Sequence, residues 1–410
     1  MPHSADAHLI TSKQAAEMLG ISLPTLYAYV SRGLLQSQSD GATRRKLYSR
    51  EQVTALKDKR DLRRDPAKGV AQSLQWGPPL LDSAVTQIRE GRFYYRGRDA
   101  CLLAETTSFE ALTAWLWGEL CETPLSLDWS PLEFTAQDRA FLNRYRHLHP
   151  CDRLQLQTRL AAAADPVSQQ TKTRGMARRA ARLLATWTDD GKHGDQPVPL
   201  ATRLARRWSL PPETTAPLLN AVLILCADHE LNISSFTARC VASAGTGVYE
   251  IVSAGLSALR GVHHGGFSDR VEALLRDLVL LEPDAAERDI QARLNRGEAV
   301  PGFAHPFYPA GDPRFSAIRA LVLRHAPDPE AAQRALDRID LCQRCTEDPP
   351  TLDSGLALVS VALGLPPHAA WFLFAVGRTV GWVAHGIEQV NQGRFIRPRA
   401  NYTGPPIEDN

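Results

Sequence analysis

The sequence predicts an almost all-helical body with one short β-hairpin at its start, preceded by a small winged helix-turn-helix module. Three observations lead there. From Ser108 onward, apolar residues recur at helical spacing behind capping residues. Just ahead of them, Val85–Ile88 and Phe93–Tyr95 alternate around Glu90-Gly91, which reads as a hairpin. Charge is also uneven. Residues 1–68 carry 12 Lys and Arg against 7 Asp and Glu, whereas the remainder carries 35 against 38. A small basic segment joined to a mildly acidic body implies an anionic partner for the first segment only.

The bulk properties exclude several classes. A chain of 410 residues has room for two or three domains and ample core. Its 44% hydrophobic and 22% charged residues are ordinary for a globular protein. No apolar run approaches the roughly 20 residues needed to span a bilayer, and MPHSADAHLI lacks the shape of a signal peptide, so a cytoplasmic protein is expected. Seven scattered cysteines argue for reduced thiols rather than a disulfide framework. Cys342-Gln-Arg-Cys345 has no second pair, so it reads as two thiols on one helical turn, and no metal is expected.

Thr11 or Ser12 caps a helix over Lys13–Leu19, with Ala15, Ala16 and Leu19 inward. Gly20-Ile21-Ser22 turns the chain, and Pro24 opens a second helix over Thr25–Arg32, with Leu26 and Val30 on one face. A polar hairpin follows, with Gly41 at its turn and Arg44, Arg45 and Lys46 on the return arm. Tyr48-Ser49-Arg50-Glu51 starts another helix through Arg60. This arrangement resembles the winged helix-turn-helix of the MerR family and excisionases. The resemblance implies that the second helix enters a DNA major groove. Tyr27, Arg32, Arg44 and Arg45 would then face DNA, with Tyr29 and Ser31 beside them. A docking or dimerisation role is the alternative for so modest a charge.

Leu62–Gln75 is a polar linker. After the hairpin, Ser108 caps Phe109–Leu120, in which Leu112, Trp115, Leu116 and Leu120 share a stripe and Trp115 and Trp117 read as core. Helices over Ala136–Leu148, Arg153–Ala164 and Met176–Thr188 follow. Residues 189–197 form a loop in which His193 is solvated, and Pro211-Pro212 opens a helix reaching Leu225. Ser234, Ser235, Thr237, Arg239, Ala242, Ser243 and Ala244 suit a packed interior where helices approach closely. Residues 276–300 read as a solvated helical stretch.

Chemistry concentrates in a few blocks. They are DHELNISSFTARCVAS, GVHHGG, PGFAHPFYPAGDPR, LDSGLAL, GRTVGWVAH and RFIRPRANYTGP. Histidine titrates nearest neutrality, carboxylates bind guanidinium bidentately, and an isolated carboxyl serves as a base once burial raises its pKa. In this order and spacing the blocks resemble the citrate synthase family over roughly residues 80–410.

The resemblance implies condensation of acetyl-CoA with oxaloacetate and water to citrate and coenzyme A. Such a reaction needs a base for the acyl methyl carbon, a neutral donor for the enolate oxygen, and cations for the dicarboxylate. By resemblance, Asp353 is the base, His264 the enolate donor, and His305 the ketone polariser and proton donor. His229, Arg314 and Arg378 would contact the dicarboxylate, and Arg397 would reach the other subunit's site in a homodimer. His263 is the weaker candidate beside His264. No cofactor beyond the acyl-CoA substrate is implied.

The chain departs from the family pattern after His305. Pro309 and Ala310 stand where a basic residue often meets coenzyme A phosphates. Pro306, Phe307 and Thr351-Leu352 are also unusual. Two alternatives therefore stay open. One is a 2-methylcitrate synthase using propionyl-CoA, since one methylene is worth only about 1–3 kcal/mol of discrimination. The other is a metabolite-sensing DNA-binding regulator with a synthase-like ligand domain. The expected division is a winged module at 1–64, a linker at 65–76, a large domain at 77–265 plus 358–410, and a small domain at 266–357.

Overall fold

A computed structural model describes residues 9–39, 46–50, 52–54, 56–57, 81–192 and 198–405. The chain forms two compact units, Met1–Asp82 and Ser83–Asn410. Within the described residues, the first unit has strand β1 (Leu9–Thr11), helices α1 (Ser12–Leu19) and α2 (Leu23–Ser31), and strands β2 (Ser37–Ser39) and β3 (Lys46–Ser49). Thr11 caps α1 through a capping box with Gln14, and Gly20 closes it at φ 59°. Ser22 caps α2. The three strands form an antiparallel sheet in the order β1-β3-β2, with Ile10 opposite Tyr48 and Gln38 opposite Leu47.

Ile10, Ala15, Ala16, Leu19, Leu26, Leu35, Tyr48 and Val53 make this unit's core. Tyr48 and Ser49 therefore belong to a strand, and helical residues begin only at Arg50. The buried Tyr48 side chain needs the pleat of a sheet to face the core, and β1 supplies the pairing edge. Gly41, Arg44, Arg45, the linker and His193 lie outside the described residues.

The second unit opens on the expected hairpin, β4 (Thr86–Arg89) and β5 (Arg92–Tyr95), to which β6 (Arg98–Asp99) adds a third strand. Glu90 and Gly91 both take positive φ, at 52° and 72°, as a tight two-residue hairpin turn demands. Helices follow: α3 (Ala100–Thr106), α4 (Phe109–Leu120), α5 (Ala136–Arg144), α6 (Pro150–Ala164), α7 (Thr173–Trp187), α8 (Leu200–Arg207) and α9 (Pro212–Cys226). Next come α10 (Ile233–Ser243), α11 (Val248–Leu259), α12 (Gly266–Leu278), α13 (Pro283–Asn295), α14 (Pro313–His325), α15 (Pro329–Thr346), α16 (Leu352–Ala362) and α17 (Ala369–Gln392).

Helix α5 stops at Arg144 rather than Leu148, because Pro150 starts the next helix and holds His149 extended as its cap. Helices α3 and α8, eight residues or fewer, escape a periodicity reading. The stretch 276–300 is not merely solvated. Ala286 and Ile290 join Leu274, Leu278, Val300, Leu341 and Cys342 in a hydrophobic cluster of their own. Cys342 and Cys345 are free thiols on one turn of α15. Among the described residues, no helix is long and apolar enough to cross a membrane.

The main core surrounds α17, whose residues Ala369–Gln389 are all buried. A helix hydrophobic all round must be wrapped on every side. Small residues let neighbours close on it. A Cβ on Gly255 would stand 2.4 Å from the Trp382 ring, and one on Gly381 would stand 2.4 Å from Ala227 O. As expected, α10 presents Ser234, Ser235, Arg239 and Ala242 to the interior, although Ala244 at its end is exposed.

A buried ionic group ties α17 to the hairpin. His385 Nε2 lies 3.2 Å from Asp228 Oδ2, which also accepts from Thr86 Oγ1 at 2.5 Å. Glu388 bonds Arg239 at 2.9 Å and accepts the Ala84 N–H at 2.6 Å. Burial alone would lower the His385 pKa, but Asp228 and Glu388 hold it up at about 9. Because the folded pKa exceeds the ordinary 6.5 of histidine, this stabilisation is complete below about pH 6.5. It fades as pH rises and is gone above about 9. The melting temperature is expected to fall across that window, by the equivalent of roughly 3 kcal/mol at 1.36 kcal/mol per pKa unit. In His385→Gln the slope should disappear, leaving a lower and flatter melting profile from pH 6.5 to 9.5. An unchanged slope in that variant would assign the transition to another group.

Candidate active site

The loop from Ala227 to Asn232 carries His229 between α9 and α10. Asn232 caps α10, its Oδ1 accepting the N–H groups of Ser234 and Ser235 at 3.1 Å each. Ser234 Oγ lies 2.7 Å from His264 Nε2 and accepts the indole N–H of Trp382 at 2.9 Å. Ser234 Oγ also donates to Asn232 Oδ1 at 2.8 Å. Its contact with His264 Nε2 therefore serves either neutral tautomer of that ring, and the ring's other nitrogen remains for a ligand. Burial, and then the positive charge of Arg378, push the His264 pKa down to about 3. His263 is exposed.

His305 sits in a loop bent by Gly302 at φ 99° and Ala304 at φ 60°. A Cβ at Gly302 would stand 2.5 Å from Ser354 Oγ, so the close approach requires glycine. Gly302 O accepts from Thr351 N at 2.9 Å, Thr351 Oγ1 at 3.1 Å and Ser354 Oγ at 2.7 Å. The His305 loop is thereby stitched to the start of α16, which carries Asp353. Phe307 N–H donates to His305 Nδ1 at 3.2 Å, so the neutral ring holds its proton on Nε2. Burial, then Arg314, lower its pKa to about 4. His229 faces it with ring centroids 5.4 Å apart and shares a 2.7 Å bond with Tyr308 Oη. Burial, Arg314 and Arg378 hold His229 well below the ordinary histidine range. All three rings are thus neutral at pH 7.

Arg314 is buried and gripped by Asp312 through Nε at 2.9 Å and Nη2 at 2.7 Å. Burial opposes its charge, yet Asp312 holds its pKa above the ordinary value. The same Asp312 Oδ2 accepts Leu352 N–H at 3.0 Å, capping α16 one residue before Asp353. Asp353 itself accepts a short bond from Ser268 Oγ, on the first turn of α12 just past His264-Gly265-Gly266. Burial raises the Asp353 pKa against the opposing pull of Ser268 and Arg314.

Arg378, on α17, is only 1% exposed, and its Nε donates to Cys226 O at 2.7 Å. Among the described residues no carboxylate stands within ion-pair distance of it. Its guanidinium lies 4.9 Å over the Phe374 ring, which meets His264 at 5.9 Å. His229, Arg314 and Arg378, buried, and His264, His305 and Asp353, half-buried, thus form one constellation: three neutral rings, a raised carboxyl and two cations. Arg397 does not join it. It is exposed beyond α17 and forms no hydrogen bond or ion pair among the described residues.

Comparison with known proteins identifies the family of the chain. A family model described as citrate synthase, C-terminal domain, matches residues 74–399. The chain belongs to the citrate synthase family. Citrate synthase 2 of Bacillus subtilis is 30% identical over 81% of this chain and 97% of its own length. The 2-methylcitrate synthase of Shewanella oneidensis is 32% identical over 46% of this chain and 50% of its own. The crystal structure of citrate synthase from Thermotoga maritima matches at TM-score 0.64 and 24% identity, covering 82% of this chain and 96% of that one. The structure of a citrate synthase from Thermoplasma acidophilum, in ternary complex with carboxymethyl coenzyme A and oxaloacetate, matches at TM-score 0.62 and 20% identity, covering 81% of this chain and 95% of that one. These two likenesses show the same fold. A second family model, a helix-turn-helix domain, matches residues 9–61.

The sequence reading took Ser234 only as packed interior and missed the rest of the supporting shell: Ser268, Tyr308, Asp312 and Trp382. All five lie inside or beside the quoted blocks, but only their contacts distinguish them from neighbours. One further cluster resembles a metal centre. His149, Asp269 and His368 bring ligand atoms within 4.8 Å of one another. Cys151 N–H donates to His149 Nδ1 at 3.0 Å, so the neutral ring points its Nε2 proton at Asp269 Oδ2, 2.9 Å away. These residues already satisfy one another.

Ser268→Ala should move the acid limb of kcat/KM to higher pH. The lost bond stabilises ionised Asp353, and a bond to a charged group is worth about 1.5–3 kcal/mol, or roughly one to two pKa units. The rate on the alkaline side should change far less. A uniform loss at all pH values would show that Ser268 acts otherwise.

Proposed function

We propose that the chain condenses an acyl-CoA with oxaloacetate, acetyl-CoA to citrate being the first reading. The single observation carrying this is Arg378. A buried guanidinium without a carboxylate partner is costly, and it is tolerated where an anionic ligand completes it. Beside it stand neutral histidines and a carboxyl with a raised pKa. Asp353 takes a proton from the carbon next to the thioester, and His264 Nδ1–H holds the enolate oxygen. His305 Nε2–H polarises the ketone, while Arg314, Arg378 and His229 hold the dicarboxylate. Water then releases coenzyme A.

The printed names of relatives support both citrate and 2-methylcitrate synthesis. The altered loop, Pro309 and Ala310 after His305, bears on coenzyme A grip and so on acyl choice. The exposed and unpaired Arg397 fits a role in the other subunit of a homodimer. The helical body divides, on this reading, into a large domain at 77–265 plus 358–410 and a closing small domain at 266–357. The separate cluster around Leu274 and Ile290 suits the latter.

Thiol release from acetyl-CoA and from propionyl-CoA, each with and without oxaloacetate, tests the reaction and names the acyl group. Asp353→Asn should cut turnover roughly 100- to 10,000-fold, the usual worth of a positioned base, with oxaloacetate binding nearly unchanged. Parental turnover in that variant would remove Asp353 from the role.

A second reading rests on the helix-turn-helix match over 9–61. Residues 1–64 would bind duplex DNA through α2, on which Tyr27 is 45% exposed with Lys46 Nζ 5.7 Å from its ring. Arg32, at the end of α2, is exposed too. The synthase-like body would then also serve a regulator as its metabolite sensor. Gel shifts on random duplex across a salt series should show binding that weakens with salt, and Arg32→Ala should lower the logarithmic salt slope by about one. No shift at low salt would leave residues 1–64 a docking role.

A further inference from the structure

We infer that Tyr308 is a positioning residue for the condensation: its phenol fixes His229 as a donor through Nδ1, aimed at the oxo acid. The role in catalysis rests on the synthase reading above, whereas the placement of the proton does not. Tyr308 is 1% exposed, and its Oη stands 2.7 Å from His229 Nε2. Among the described residues, neither the phenol oxygen nor the imidazole has another side-chain hydrogen bond.

Two placements of the protons fit this contact. With the ring protonated on Nε2, His229 would donate to the phenol oxygen. The phenol's own proton would then be buried with no acceptor, and an unmade buried donor carries its full desolvation cost. With the phenol donating to Nε2, both protons are placed, because the neutral ring then carries its own on Nδ1. Imidazole is also the better acceptor, since its ring nitrogen binds a proton near neutrality. Burial, against the weaker pull of Arg314, raises the Tyr308 pKa, so the phenol keeps its proton to give. Burial first, and then Arg314 and Arg378, keep His229 neutral and its Nε2 open to receive it.

A single turn sets the protons of two histidines in this way. Tyr308 N–H donates to His305 O at 2.9 Å, closing a four-residue turn. Within it, Phe307 N–H fills His305 Nδ1 and leaves that ring's proton on Nε2. The Tyr308 ring centroid lies 5.0 Å from that of His305 and 5.6 Å from that of His229, with the Arg314 guanidinium 5.5 Å away. The phenol is thus packed among three groups assigned to the oxo acid. A backbone N–H orients one ring and the phenol orients the other. Each ring is left with an N–H to offer an anionic or carbonyl oxygen, where a lone pair on His229 Nδ1 would repel it.

The test uses the full chain carrying nitrogen-15-labelled histidine, at pH 7 without substrate, with the His229 signals assigned by their loss in His229→Gln. In the parent, Nε2 should give a pyridine-like nitrogen shift and Nδ1 a pyrrole-like one. Tyr308→Phe keeps the ring and removes the donor, so the proton should move wholly or in part to Nε2. The KM for oxaloacetate should rise about tenfold in that variant, with kcat and melting temperature near parental values. A pyrrole-like Nε2 in the parent would overturn the proposal. So would an unmoved Nδ1 proton in Tyr308→Phe, or a loss confined to kcat. Should Tyr308→Phe fail to fold, the parental spectrum alone decides. The spectra are read without substrate, so the absence of turnover would count against the synthase reading and leave the proton placement standing.

Discussion

Three buried arginines set the terms of this structure. Each takes a charge out of water, at a cost of several kcal/mol that the fold must offset. Arg239 has Glu388 and Gln389, and Arg314 has both oxygens of Asp312. Arg378 has one backbone carbonyl, Cys226 O, and an aromatic face. The chain closes two of these pairs internally, and the third has, among the described residues, no carboxylate within ion-pair distance, only the more distant field of Asp228. The division also explains the placement of Asp312. One carboxylate satisfies Arg314 and caps α16, so Arg314 and the helix bearing Asp353 cannot drift independently.

The hairpin and α17 depend on the same logic at a distance from the chemistry. Asp228 gathers Thr86, Ser235 and His385, so the loop bearing His229 is anchored from β4, α10 and α17 together. Glu388 adds the hairpin's Ala84 N–H to the Arg239 pair. These contacts touch no reacting atom. They hold the His229 loop, where Glu230 takes φ 54°, a conformation that non-glycine residues leave when unsupported.

Much of the helical body was legible because its local signals agree with its packing. Ser108 caps α4, whose Leu112 and Leu116 are buried as the spacing demands. The Glu90-Gly91 turn specifies its hairpin through backbone conformation alone. The blocks carrying His229, His264, His305, Asp353, Arg314 and Arg378 were visible as residue types in order, and the fold brings those six together. Tyr48 was misread because its strand is set by pairing with Leu9–Thr11, nearly forty residues away. The tasks of Ser234 and Ser268 were hidden for a similar reason. Ser234 reads as a small residue of a packed helix interior, and a serine after Gly265-Gly266-Phe267 reads as a helix start. Only the arrival of His264 and Asp353 gives their hydroxyls a task. Arg397 belongs to a different case, since one chain alone supplies no partner for it.

The neutral state of the histidines is set by the chain's own groups. Burial lowers all three, and Arg314 or Arg378 deepens each shift. A bound dicarboxylate would bring two negative charges against those same arginines and cancel much of that potential. His305 and His229, which feel Arg314 directly, would then rise toward neutrality, whereas His264 is held down mainly by burial and would move least. The substrate would thus raise the groups to different extents. His305 would become a better hydrogen-bond donor to a ketone that needs a proton, and His264 would stay neutral, as an enolate donor must. Asp353 would lose part of the positive field that favours its ionised form, which makes it a stronger base.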